Sequence, residues 1–376
     1  MRFQDSDTQK LLRETTRAFL ADKFPHARLY AIEKGENPLT ADEVRGFAEL
    51  GWLGLTVPED KGGAGATLLD AAVVIDEFGY AAVPAPIVVT IVASQLLASV
   101  EAAPEHLSQL TEGTAIYTVS AATRRRGPIR YGTLAGAAAL SMNNGTLTGT
   151  LPLVPFAGIA TFVLAPLTVD GEPAFGLIPL VGARIEPVRV LDRASTAHVH
   201  FDGASANGAI LLATGPAAVE MHELCDALMT GFSVVETGGL MRRVLEMSTT
   251  YISNRVQFGQ PVAKFQAARH RAAELLMQSE SARWAAYHAI WRLEEDPSDC
   301  REIWLAKHWS NRAGPRMFEL AHLLHGGVGV GLDYPLHLYT QWLESAAVQA
   351  GTQNEMTNRI VEEAVPSAGK LATAAR

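Results

Sequence analysis

The order of local patterns predicts an N-terminal all-α domain, a middle β-domain built as a sandwich or small barrel, and a longer C-terminal helical domain. Three observations carry this. Apolar residues recur at helical spacing from Asp5 to about Leu110, as in Leu11, Leu12, Thr15, Phe19 and Leu20. Short β-rich runs broken by turn signals fill Ala115 to about Leu212. Helical periodicity returns from about Pro216 in longer stretches. The expected domains are residues 1–112, 113–214 and 215–376.

In the first region, Glu43, Phe47, Leu50 and Leu53 share a helical face that runs into the turn-rich Val57-Pro-Glu-Asp-Lys-Gly-Gly-Ala-Gly65. A helix is expected from about Thr67 to Tyr80. The apolar stretch Val83 to Val100 contains Pro84, Pro86, Ser94 and Gln95, which suits a buried helix better than a membrane span. In the second region the expected strands are Ala115–Val119, Thr146–Leu151, Thr161–Ala165, Phe175–Pro179, Ala183–Val190 and Ala197–Phe201. Asn143-Asn144-Gly145, Asp170-Gly171 and Asp202-Gly203 are read as turns between them. In the third, Val234, Met241, Val244, Leu245, Ser248 and Ile252 lie on one face that leads to Asn254-Arg255. Phe265–Trp291 and Ile303–His325 are further helices.

Composition narrows the function classes. The 376 residues carry 31 basic and 40 acidic side chains, a net charge of −9, which disfavours a nucleic-acid partner. The two cysteines, Cys225 and Cys300, form no CxxC and cannot build a disulfide framework, so a reducing, cytoplasmic setting is expected. The start, MRFQDSDTQKLL, lacks a basic-then-apolar leader pattern.

Three glycine-bearing segments stand out. Val57-Pro-Glu59 with Gly62-Gly-Ala-Gly65 reads locally as a helix end and loop. Arg255-Val-Gln-Phe-Gly-Gln260 ends a helix; its guanidinium either complements the helix dipole or meets a phosphate, with Phe258 beside a flat ring. In His325-Gly-Gly-Val-Gly329 the glycines allow either backbone approach to a ligand or a tight helix crossing.

Together, in this order and spacing, the three segments resemble the signatures of the acyl-CoA dehydrogenase family over essentially the whole chain. The resemblance implies an N-terminal helical domain, a middle β-domain and a C-terminal four-helix bundle, assembled as a tetramer. It also implies FAD shared across a subunit interface, an acyl-CoA substrate and an electron-transfer flavoprotein-type acceptor. In this chain Arg255, Phe258, Gln260, Gly326, Gly327, Gly329 and Thr352 match the positions that serve the ADP half of a neighbour's FAD.

At the positions facing the chemistry, the chain departs from the family. Where a Glu-Gly-Thr triplet supplies the base that removes the α-proton, it reads Ala350-Gly351-Thr352. The alternative base position, counted back from Phe258, falls on Met229. Glu236 lies two helical turns on, about 10 Å away, and Glu344 precedes Ala350 by six residues; both are more simply solvated or paired carboxylates. Ser120-Ala-Ala-Thr-Arg-Arg-Arg126 replaces the flavin-facing loop, and Leu151-Pro-Leu-Val-Pro155 lacks the family's ring-covering Trp and its hydroxyl. The expectation is therefore a non-catalytic subunit that completes a catalytic partner's FAD site, in the manner of the paired subunits that degrade steroid side chains. The alternatives are a self-sufficient homotetramer with a non-standard glutamate base and a flavin-free structural paralogue. Arg124, Arg125, Arg126 and Arg130 are read as a solvated loop, or else as a site for coenzyme A phosphates or an acidic partner. His322, His325 and His337 lack a carboxylate or cysteine to complete a ligand set, so no metal is expected.

Overall fold

The computed structural model describes residues 4–35, 39–120 and 140–364. They form two compact units, residues 4–78 with 83–229, and residues 79–82 with 230–364.

The first unit opens with α1 (Asp7–Lys23), α2 (His26–Glu33) and α3 (Ala41–Glu49). Ser6 with Gln9 and Thr40 with Glu43 form reciprocal capping boxes that satisfy the free amides at the starts of α1 and α3. Trp52 meets Phe19 and Phe78 edge to face and stacks on Phe47, with ring centroids of Trp52 and Phe78 5.5 Å apart. Arg13 sits beside this core and bonds Asp76 at 2.5 Å and Glu77 at 2.7 Å, while Arg17 bonds Glu77 at 2.8 Å. Both carboxylates are fully buried, and the paired guanidinium groups offset the cost of removing them from water. α4 (Leu68–Ala81) carries them; α5 (Ile87–Ala98) and α6 (Pro104–Thr111) follow. All of α5 except Gln95 is buried, so apolar residues surround nearly the whole helix, with Thr90 and Ser94 the buried polar exceptions.

The strands are β1 (Tyr117–Val119), β2 (Leu140–Asn143), β3 (Thr146–Val154), β4 (Phe162–Val169), β5 (Glu172–Pro179), β6 (Arg184–Pro187), β7 (Ala197–Ser205) and β8 (Ile210–Thr214). They form one mixed sheet in the order β6-β7-β3-β2-β4-β5-β8, with β1 parallel to β4. Asn144-Gly145 and Asp170-Gly171 are two-residue hairpin loops with positive φ at both positions, as the sequence suggested. Asp202-Gly203 is different. It lies inside β7, where the register jumps by one residue between Leu147 and Thr148 of β3. Gly203 (φ 82) is the extra residue of a bulge, so an Asp-Gly pair that reads as a turn here bends a continuing strand. β2 is too short and too mixed in polarity to stand out in the sequence, and β8 is a five-residue, mostly apolar run that shows no alternation. The sheet's core includes Leu147, Leu151, Val163, Ile178, Val199 and Phe201.

A 39-residue helix, α7 (Pro216–Asn254), starts in the first unit and ends in the second. The second unit adds the hairpin strands β9 (Val256–Gln257) and β10 (Gln260–Pro261), then α8 (Gln266–Glu295), α9 (Arg301–His325), α10 (Gly327–Val330), α11 (Leu336–Ala346) and α12 (Gln353–Ala364). Small residues set the crossings in this unit. A Cβ at Gly79 would lie 2.0 Å from the Glu236 carbonyl, and one at Gly231 2.8 Å from Ile303. Among the described residues no helix is long and apolar enough to cross a membrane.

Candidate functional site

The end of α7 is closed by backbone bonds. The Arg255 amide donates to the Tyr251 carbonyl at 2.8 Å, and the Val262 amide donates to the Arg255 carbonyl at 2.8 Å. Between them, β9 and β10 pair Gln257 with Gln260 and leave Phe258-Gly259 as a two-residue loop. Phe258 (φ 51) and Gly259 (φ 77) both occupy the left-handed region, the geometry that such a loop requires. Asparagine or glycine normally sits at the first of these positions, because a bulky side chain there is strained. Phe258 is 94% exposed and touches Phe265 edge-on, with centroids 6.2 Å apart. A left-handed backbone that holds a bare aromatic ring in solvent is costly. Arg255 is exposed beside it, and Gln260 is half-buried.

The glycine segment follows α9. Gly326 (φ 59) breaks the helix, and a Cβ at Gly326 or Gly327 would meet nothing within 4 Å, so both offer open backbone. Gly329 differs: its Cβ would lie 2.8 Å from that of His325 and 3.2 Å from Leu336, so packing alone accounts for it.

His325 joins the two segments. Its ring stacks on Tyr251, four residues before Arg255, with centroids 4.6 Å apart. Nδ1 lies 2.8 Å from the Ala321 carbonyl and must donate to it, which leaves Nε2 to accept from the Tyr334 hydroxyl at 3.2 Å. Burial pushes the His325 pKa down, so the imidazole is neutral and acts as a structural spacer between hairpin and glycine turn. His322 is also pushed down by burial and meets the Thr340 hydroxyl at 3.0 Å; His337 donates to the Tyr334 carbonyl at 2.9 Å. These three histidines therefore serve the packing of α9 and α11.

The structure also places the positions that the resemblance sets against the family's base and flavin-facing residues. Ala350 (φ 54) is exposed in a left-handed turn with Gly351 (φ 110), and its methyl group can neither take nor give a proton. Thr352 forms a capping box with Glu355 at the start of α12: its amide and hydroxyl donate to the Glu355 carboxylate at 2.7 and 2.9 Å. The Thr-x-x-Glu spacing is the sequence signal for this box, and a reading of Thr352 as a ligand residue alone misses it. Glu344 is half-buried on α11. Met229 and Glu236 are half-buried on α7, and Glu236 is engaged by a neighbouring group. In the sheet, Leu153 (φ 50) sits at the break in β3 pairing, 42% exposed, with its amide donating to His198 Nδ1 at 3.2 Å. Of the segment 120–126, Ser120 is described and its amide donates to the Leu164 carbonyl at 2.8 Å. Residues 121–126 and the basic run Arg124, Arg125, Arg126 and Arg130 lie outside the described residues. In the first glycine segment, Gly62 and Gly65 have positive φ, and a Cβ at Gly63 would strike the Val57 carbonyl at 2.1 Å. That segment is a structural turn.

Two buried polar side chains escaped the sequence reading. On α9, Lys307 is 2% exposed and donates to the Ala346 carbonyl at 2.6 Å, and burial lowers its pKa to about 7. One turn on, Asn311 donates to the Gly351 carbonyl at 2.9 Å. Their signal was present: Ile303, Lys307, Ser310, Asn311 and Gly314 share one helical face that is otherwise apolar or small.

A helical region, a mixed sheet and a helical region, with an Arg-bearing hairpin beside a double-glycine turn, define the architecture of acyl-CoA dehydrogenases. The family's N-terminal domain matches residues 6–107 and its C-terminal domain residues 232–365. The chain belongs to this family. It is similar to the acyl-CoA dehydrogenase IpdE2 of Mycolicibacterium smegmatis, 27% identical over 95% of this chain and 99% of that protein. Among solved structures it is similar to a variant of the Tcur3481-Tcur3483 steroid ACAD (TM-score 0.82, 26% identity, 94% of this chain and 96% of that one). The ChsE4-ChsE5 complex from Mycobacterium tuberculosis shares the fold (TM-score 0.85, 24% identity, 98% and 100% covered).

Proposed function

We propose that this chain is the non-catalytic subunit of a heteromeric, FAD-dependent acyl-CoA dehydrogenase, acting in the cytoplasm on a bulky acyl-CoA such as a steroid side-chain thioester. The observation that carries the proposal is a contrast within one unit. The hairpin and glycine turn keep exposed Arg255, exposed Phe258 and open backbone at Gly326 and Gly327, while the turn at Ala350 keeps its shape without a carboxylate. A guanidinium and free backbone suit a pyrophosphate, and a bare phenyl ring suits a flat one, so the residues fit the ADP half of FAD held by a partner. Gln260 adds an amide to that set, and Thr352 keeps an accepting hydroxyl beyond its capping role. FAD, when bound, supplies the hydride acceptor for α,β-dehydrogenation, with reducing equivalents passing to an electron-transfer flavoprotein-type acceptor. This chain binds and orients; the partner supplies the base and the acyl pocket. The domain limits that suit this reading are 1–112, 113–214 and 215–376. The steroid reading is supported by the similarity to the Tcur3481-Tcur3483 protein.

The test is to express the chain alone and with the complete dehydrogenase encoded nearest to it, and to record visible spectra. The chain alone should be colourless and the mixed complex yellow. Arg255→Ala should weaken flavin retention by the complex, whereas Glu236→Ala should leave turnover intact. Flavin bands in the chain alone that bleach with acyl-CoA would refute the proposal.

A further inference from the structure

Three successive turns of one α9 face meet the backbone of α11 and of the turn that follows it. Lys307 Nζ donates to the Ala346 carbonyl at 2.6 Å, and Asn311 Nδ2 to the Gly351 carbonyl at 2.9 Å. Gly314 leaves so little room that a Cβ there would lie 3.2 Å from the Leu343 carbonyl. Ala346 ends α11, where carbonyls have no intrahelical partner. An amine there satisfies the hydrogen bond and, when protonated, complements the negative end of the dipole. The two side chains therefore grip both ends of residues 346–351, the segment that holds left-handed Ala350 and Gly351 and leads into Thr352.

The grip is chemically expensive. Lys307 is 2% and Asn311 6% exposed, and Asn311 Oδ1 is buried without a hydrogen-bond partner. Capping alone does not require it, because a helix end beside solvent can be capped by water or glycine. An apolar pair would fill the same volume without desolvating an amine and an amide. Ala350 bears no functional group, so what the grip preserves is the path of the backbone between Ala346 and Thr352.

We propose that Lys307 and Asn311 are positioning residues that hold the 346–352 turn, and Thr352 with it, in register for the partner's FAD. This rests on the subunit role proposed above. Neither side chain would touch the flavin; both act through the backbone they hold.

The test uses the mixed complex carrying Lys307→Met or Asn311→Leu, each close in volume to the original but without the donor, and Lys307→Gln, which keeps one. FAD affinity is read by titration, the flavin environment by its visible band, and amide exchange is followed over 346–352. The expected result for the Lys307→Met and Asn311→Leu variants is faster exchange in that segment, at least a tenfold loss of FAD affinity and a shifted band, with substantial recovery in Lys307→Gln. Should one variant fail to fold, the other reads the same segment. Unchanged affinity and band in folded variants, beside a wild-type complex that holds FAD, would overturn the positioning role alone. A wild-type complex without FAD would overturn the subunit role and the positioning role together.

Discussion

Replacing Lys307 by methionine should change how stability depends on pH in a way that can be worked out from burial. The amine is fully buried, and desolvation lowers its pKa from an ordinary 10.5 to about 7. Below pH 7 the lysine is protonated in both the folded and unfolded chains, and keeping that charge buried costs about 5 kcal/mol. As pH rises from 7 to 10.5 the folded chain carries a neutral amine while the unfolded chain stays charged, so this cost fades. Between pH 7 and pH 9 it falls by about 2 kcal/mol. Methionine removes the titration and leaves the Ala346 carbonyl without its donor, a loss of about 1–3 kcal/mol that does not vary with pH. The variant should therefore be similar to or more stable than wild type at pH 7, and its advantage should shrink by about 2 kcal/mol at pH 9. Urea unfolding at the two pH values, followed by the fluorescence of Trp304 and Trp342 in the same unit, measures this difference. A gap between variant and wild type that is constant from pH 7 to pH 9 would show that the amine is not desolvated as described.

Phe258→Asn should raise the stability of the isolated chain by about 1 kcal/mol, because asparagine tolerates the left-handed backbone, yet weaken the flavin-bearing complex; melting temperature and FAD titration read the two effects. Gly329→Ala should cost about 1–3 kcal/mol by overpacking against His325 and Leu336, whereas Gly327→Ala, facing open space, should leave the melting temperature within a degree or so. A Gly327→Ala complex that loses FAD without losing stability would mark that backbone as a ligand contact. His325 is held neutral below its ordinary value of 6.5, so the folded chain resists protonation that the unfolded chain accepts. Stability should fall as pH drops below 6.5, and His325→Phe should flatten that slope in urea titrations at about pH 5–7. Ala350→Glu adds a carboxylate at a position already in a strained turn; the isolated chain should still show no dehydrogenation of acyl-CoA substrates in a dye-reduction assay.

Periodicity carried most of the fold. The amphipathic faces of α1 and α3 and the long helices α8 and α9 follow from apolar spacing, which depends only on helical geometry. The Asn144-Gly145 and Asp170-Gly171 loops follow from dihedral preference. Asp202-Gly203 did not, because the same preference serves a turn or a bulge, and the choice depends on whether β3 is there to pair with the residues beyond. The segments of the candidate site were legible as motifs, but not their connection. Tyr251, His325 and Tyr334 are dispersed over more than eighty positions, and nothing in their spacing shows that they stack.

Within the sequence itself, the three regions followed from the change of hydrophobic period, and the expectation that Ala350, Met229 and Leu151–Pro155 stand in for family side chains rests on residue identity. Both are local properties. Three further results required distant segments to meet: Gly329 is a packing glycine while Gly326 and Gly327 are open, Phe258 is displayed at the tip of a hairpin, and Lys307 and Asn311 hold a turn forty residues away. Burial, and with it the neutral state of His325 and the lowered pKa of Lys307, depends on which surfaces exclude water. That is settled by packing across the chain and is not encoded in any single stretch of it.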